Sequence, residues 1–175
     1  VCALYAAKGE RRRQVKALWL NSPFFEWRAK RATRARLRIA EAIGRFFPFA
    51  CQPAAAPPAY VESLHRDWQG EWQFDLSLKP REGFPVYFGW VAAIWRAHAQ
   101  LHSGLSLQCP VLAMHSDWAD IILDWRSVAR WSRTLGKDVS VLAFPGALHD
   151  LVLERAEIRE SVFSQLFSWT ARAAA

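Results

Sequence analysis

Pro110-Val111-Leu112-Ala113-Met114, then Trp125 to Leu135 with Gly136 behind it, then Val139-Ser140-Val141-Leu142-Ala143-Phe144, then Ala156 to Thr170 follow one another with short links. The first and third are apolar runs of strand length. The second is a helix candidate closed by glycine, and the fourth sets Ile158, Val162, Leu166 and Trp169 on one helical face. Strand, helix, strand, helix with short connections predicts a parallel, doubly wound α/β sheet.

Toward the N-terminus, Val1 to Ala7 is apolar and rich in small residues and Gly9 follows in the manner of a helix C-cap. Val15-Lys16-Ala17-Leu18-Trp19-Leu20, stopped by Asn21-Ser22-Pro23, reads as a buried parallel strand. The stretch between Phe24 and Gly104 breaks this alternation. Ala29 to Phe47 is a basic helix candidate, residues 48–60 are a Pro-rich loop, and Trp90 to Leu101 is a helix with Trp90, Ala93, Ile94 and Ala97 on one face. The segment 24–104 therefore reads as an insertion into a core made of 1–23 and 105–175. There is no internal repeat, and low complexity is confined to the Pro/Ala run at 53–59.

Composition bounds the function. Of 175 residues 52% are hydrophobic and 22% charged, which excludes a solvating tail. Ten Trp and eleven Phe suit both a core and a wall that grips an apolar ligand. The net charge of +7 is concentrated in Arg11-Arg12-Arg13 and between Arg28 and Arg38. The second run has no interleaved aromatics and no nucleic-acid motif follows it, so no nucleic-acid partner is expected. A solvated helix, with peripheral contact to an anionic membrane surface, suits the second run better. Cys2, Cys51 and Cys109 are odd in number and form no C-x-x-C pair, which argues against a disulfide framework or zinc and fits a reducing, cytoplasmic compartment. The most apolar stretch, Phe46 to Tyr60, is interrupted by four prolines, so no membrane-spanning helix is expected. No signal peptide is legible, but the chain opens on Val1 in what reads as mid-helix, so a preceding segment is expected.

In doubly wound sheets chemistry gathers in the loops after strand C-terminal ends. That rule selects His115 to Asp124 and Pro145 to Leu151. His149 follows the last strand behind a Gly-containing turn, where a general base can reach over the sheet edge. Asp117, Asp120 and Asp124 follow the preceding strand, and a carboxylate there can fix the tautomer of an imidazole and stabilise its charged form. Asp124, directly before Trp125, is expected to cap the following helix. His65 with Asp67 and Glu71, and His98 with His102, lack the spacing or the third partner of a metal site. Trp68, Trp72, Phe74, Phe84, Phe88 and Trp90 are expected in a core or a pocket wall.

Three segments, Leu20-Asn21-Ser22-Pro23-Phe24-Phe25, Ser63 to Trp72 and Pro145 to Leu153, resemble bacterial α/β-hydrolases of the serine aminopeptidase-like set, akin to monoacylglycerol lipases and lysophospholipases. The resemblance runs over essentially the whole chain and is most specific in the last segment. It implies the C-terminal part of an α/β-hydrolase parallel sheet, with 24–104 as a helical cap or lid. It puts His149 on the catalytic histidine and Asp120, followed by Ile121-Ile122-Leu123, on the acid, with Asp117 as the second candidate. It further implies a serine hydrolase acting on a small-molecule ester or lipid, with no cofactor, no metal and no obligate protein partner. The chain departs from the pattern in one respect: none of its eight glycines forms the G-x-S-x-G elbow. Ser22 follows a different strand and lacks the flanking glycines. If Val1 to Ala7 is the helix after the elbow, the serine lies just upstream of Val1. Loss of the nucleophile costs a serine hydrolase on the order of a millionfold in turnover. The chain as given is therefore expected to be inactive and, with a parallel sheet edge exposed, prone to aggregate or pair. The alternative is a non-catalytic remnant or interaction module of the same fold.

Overall fold

The computed structural model describes residues 1–53 and 57–173; Ala54 to Ala56 of the Pro/Ala run lie outside the described residues. The chain divides into two compact units, one formed by Val1–Trp27 with Ala99–Ala175 and the other by Arg28–His98.

The first unit is built on a parallel sheet of three strands, β1 (Leu18–Asn21), β4 (Val111–Ser116) and β5 (Val139–Phe144), in the order β1-β4-β5. Register pairs Leu18 with Val111 and Val111 with Val139. All six residues of the central strand β4 are buried, as a strand covered on both faces requires. Its side chains alternate between two cores. Val111 and Ala113 join Leu18, Leu20, Leu101, Leu105 and Leu135 under helix α1 (Cys2–Lys8). Leu112 and Met114 join Phe144, Ala147, Leu151, Val162, Leu166 and Trp169, the last three from helix α6 (Ala156–Ala173). The period-2 pattern thus feeds two helical layers. Helix α5 (Trp125–Ser132) begins where Asp124 accepts a hydrogen bond from Arg126 N, the expected cap.

Several boundaries differ from expectation, among them the end of β4, which runs to Ser116 and takes His115 out of the following loop. Val15 to Ala17 precede β1, because pairing starts where Leu18 N donates to Pro110 O at 2.9 Å. Gly9 is extended (φ −62, ψ 153) rather than left-handed, and its N–H still closes α1 on Tyr5 O. The helix ahead of Gly136 stops at Ser132, and Gly136 forms an isolated bridge with Leu107 instead.

The second unit contains α2 (Arg31–Gly44), α3 (Pro58–Glu62), a two-stranded antiparallel ribbon of β2 (Cys51–Gln52) and β3 (Val86–Tyr87), and most of α4 (Phe88–His102). The expected loop over 48–60 thus carries a strand and a helix, started by Pro58 at its first position. Among its described side chains helix α2 buries a stripe, Leu37, Ala40, Glu41 and Gly44, at helical spacing. A Cβ on Gly44 would lie 2.0 Å from the Phe88 carbonyl oxygen, so only glycine permits that approach. The unit's fully enclosed side chains are aliphatic, Leu64, Val91 and Ala92 among them. None of the six aromatics expected in a core or wall is buried; Trp68, Phe84 and Trp90 are exposed and Trp72, Phe74 and Phe88 half-buried, so they do not form this core. Among the described residues no helix is long and apolar enough to cross a membrane.

Candidate active site

The loops following β4 and β5 meet. His149 Nδ1 lies 3.0 Å from Asp120 Oδ2, and because an ionised carboxylate can only accept, the ring donates through Nδ1–H. The basic lone pair of that tautomer is on Nε2. The two Asp120 oxygens are divided between tasks. Oδ1 accepts from Ile122 N at 2.7 Å and Leu123 N at 2.9 Å, which fixes the carboxylate in a turn of its own making. Oδ2 is thereby aimed at the imidazole.

Burial alone would push the Asp120 carboxyl up. The hydrogen bond and charge of His149, with the N–H groups of Leu123 and Ile122, outweigh burial and hold it below the ordinary carboxylate value. The carboxylate is 3% exposed at its side chain and the imidazole 19%, so the acid is sealed while the ring keeps an outlet.

The His149 loop is held from four sides. Ala147 and Leu151, two residues before and after His149, are fully buried in the core against α6. Gly146, at φ +73, donates its N–H to Asp117 Oδ1 at 3.1 Å. Leu148 N donates to Glu154 Oε1, a carboxylate that also accepts from Arg155 N at 3.0 Å. Asn21, the last residue of β1, donates Nδ2 to Asp150 Oδ1 at 3.0 Å. Of the three aspartates weighed from sequence, Asp120 meets His149, Asp117 binds the turn before it, and Asp124 caps α5.

Sequence reasoning missed Glu154 and the Asn21–Asp150 bond. Glu154 had a signal, since an acidic residue directly after Leu151-Val152-Leu153 is carried into the core with them and must find donors there. The Asn21–Asp150 bond joins residues 129 apart and has no local signature. Ser22, buried at φ +40, has a hydroxyl with no hydrogen-bond partner among the described residues.

The other histidines are engaged elsewhere. His65 donates Nε2–H to Phe74 O at 3.1 Å and accepts from Asp67 N on Nδ1 at 3.2 Å. His102 donates Nε2–H to Phe25 O at 2.8 Å and stacks on Trp131 at 3.7 Å. His115, in β4, donates Nδ1–H to the Ser116 carbonyl, and burial holds its pKa below the ordinary value. Among the described residues no group of three or more metal-ligating side chains forms.

No protein-family model matches the chain, and no curated protein matches it in sequence. Solved structures do. A soluble variant of monoglyceride lipase from Saccharomyces cerevisiae, in complex with a substrate analog, is similar at 18% identity with a TM-score of 0.74, over 98% of this chain and 61% of that one. Monoacylglycerol lipase from Paleococcus ferrophilus is similar at 17% identity with a TM-score of 0.71, over 98% and 65%. Est1E from Butyrivibrio proteoclasticus is similar at 17% identity with a TM-score of 0.57, over 98% and 56%. The chain thus spans less than two thirds of each of these structures. Its fold is that of the α/β-hydrolases.

Proposed function

We propose that the chain supplies the acid and base of a serine-type acyl hydrolase, with His149 as general base and Asp120 as the acid that orients it. The observation that carries this reading is the 3.0 Å bond between a sealed carboxylate and a partly open imidazole, each after the C-terminal end of its strand. In such an arrangement Nε2 takes the serine proton and returns it to the leaving group, while Asp120 stabilises the imidazolium without itself being protonated. Asp117 acts through Gly146 as a positioning residue. The 175 residues contain no G-x-S-x-G, so the nucleophile is assigned to polypeptide outside them.

The substrate class is a small-molecule ester or lipid. Its support is the likeness to lipases and an esterase, one of them bound to a substrate analog. The segment 24–104 is assigned to a cap. Its exposed Phe46, Phe47 and Phe49 follow the arginine-rich α2, a combination suited to peripheral contact with an anionic membrane surface. The free cysteines, two of them exposed, fit a reducing cytoplasm.

A fluorophosphonate probe on the longer polypeptide that includes this chain tests the proposal. Labelling that is lost in H149A is the expected result. Absence of labelling in the unaltered protein would overturn it in favour of a non-catalytic module. The 175-residue chain alone should not label.

A further inference from the structure

At the end of the sheet opposite His149, ahead of the first residues of β1 and β4, lies a cavity of about 550 Å³ wholly within the first unit. Arg12, Arg13 and Lys16 reach it from one side and Ser106 and Gln108 from the other. The remaining wall is aliphatic, from Ala7, Val15 and Pro110, with the Cys109 thiol. No acidic residue lines it. Burial raises the thiol's pKa, so Cys109 brings no negative charge either.

The cations are uncompensated. Among the described residues none of Arg11, Arg12, Arg13 and Lys16 is in an ion pair, whereas Arg45, Arg81 and Arg130 each hold a glutamate. The single contact of the Arg12 guanidinium is a long one, 3.4 Å, to the Gly9 carbonyl. Like charges crowded along six residues repel, and a multiply charged anion among them relieves that repulsion. Two guanidinium forks, an ammonium and the Ser106 hydroxyl supply the positive charge and the donors that phosphate oxygens accept. No aromatic ring lines the cavity, so a base or sugar has nothing to stack on.

We propose that this cavity is an anion site for a phosphate-bearing small molecule, recognised through its phosphate end by Arg12, Arg13 and Lys16. The site stands independently of the proposed hydrolase chemistry, whose residues lie beyond the other ends of the same strands.

Calorimetric titration of the full chain with inorganic pyrophosphate at about 0.15 M salt tests it, a strength at which diffuse surface attraction is largely screened. Saturable 1:1 binding is expected, weakened roughly tenfold or more in R12Q/R13Q through loss of charge-assisted bonds. The pair R96Q/R172Q removes the same charge from α4 and α6 and should leave binding unchanged; circular dichroism checks that both variants fold. No saturation, or equal weakening by the two pairs, would overturn the site. ADP binding as tightly as pyrophosphate supports recognition of the phosphate end, and tighter ADP binding keeps the site while assigning its ligand to nucleotides.

Discussion

His149 donates Nδ1–H to Asp120 Oδ2 at 3.0 Å, across 29 residues of sequence and between loops that follow neighbouring strands. The bond is set from the acid's side. Two backbone amides hold Asp120 Oδ1, so the carboxylate cannot turn away when the ring moves. The ring is the partner that faces outward, as a proton carrier must.

If Asp120 orients the general base, D120N in the serine-containing polypeptide lowers kcat on a 4-nitrophenyl ester by on the order of 10³–10⁴-fold, because the amide can stabilise the wrong tautomer. D120N also changes acid stability, measurable on the chain itself. The native pKa of Asp120 is depressed, so its contribution is complete above the ordinary value of 3.8 and is lost as pH falls through the native one. Urea titrations from pH 6 to 2 should show a shallower decline in D120N. An unchanged profile would mean that the His149 contact has no weight in the native state.

Asp117 acts on the turn rather than the ring. D117A frees Gly146 N–H and Ala119 N–H from their shared acceptor, at a cost of about 1–3 kcal/mol in urea unfolding. G146A meets no steric neighbour but forces a side chain to φ +73, costing roughly 1–2 kcal/mol. Both should leave catalysis at least tenfold better than D120N does. A D117A enzyme as poor as D120N would reverse the assignment of the acid.

His115 sets a second pH dependence. It is buried in the central strand, and its native pKa lies below the ordinary 6.5, with burial the largest cause and Arg133 adding to it. Protonation therefore favours the unfolded chain. Stability should be level above pH 6.5 and decline as pH falls from there toward the native pKa. Equilibrium unfolding at pH 7.5 and 5.5 reads this directly, and H115Q should remove most of the difference.

The sequence made the sheet legible because β4 and β5 are short, apolar and bounded, and β4 is buried on both faces throughout, while β5 is half-buried from Val139 to Leu142 and closes on the buried Phe144. It made Asp124 legible because a cap is local. It narrowed the acid only to Asp120 or Asp117, since both follow β4 and the choice depends on which carboxylate the turn at Asp117–Asp120 presents to a loop 29 residues away. The second unit was less legible. Its aromatics look like a core by composition, yet the enclosed positions are Leu64, Val91 and Ala92, chosen by close approach of backbone such as Gly44 against Phe88. Size decided against the rings where segments pack this tightly.

Glu154 is the residue on which the histidine loop should prove most dependent. Its side chain is 1% exposed, and its two oxygens take the N–H groups of Leu148 and Arg155, one on each side of the buried Leu151. E154A leaves both amides without their acceptor in a site with little room for water, and hydrogen bonds to a charged group carry about 1.5–3 kcal/mol each. A loss near the lower end of the summed range is expected, with E154Q recovering part of it through its remaining acceptor oxygen. Amide exchange at Leu148 should accelerate by more than global destabilisation explains, because the bond anchors the residue next to His149. If exchange at Leu148 merely tracks the whole molecule, Glu154 stabilises the fold without holding the histidine loop.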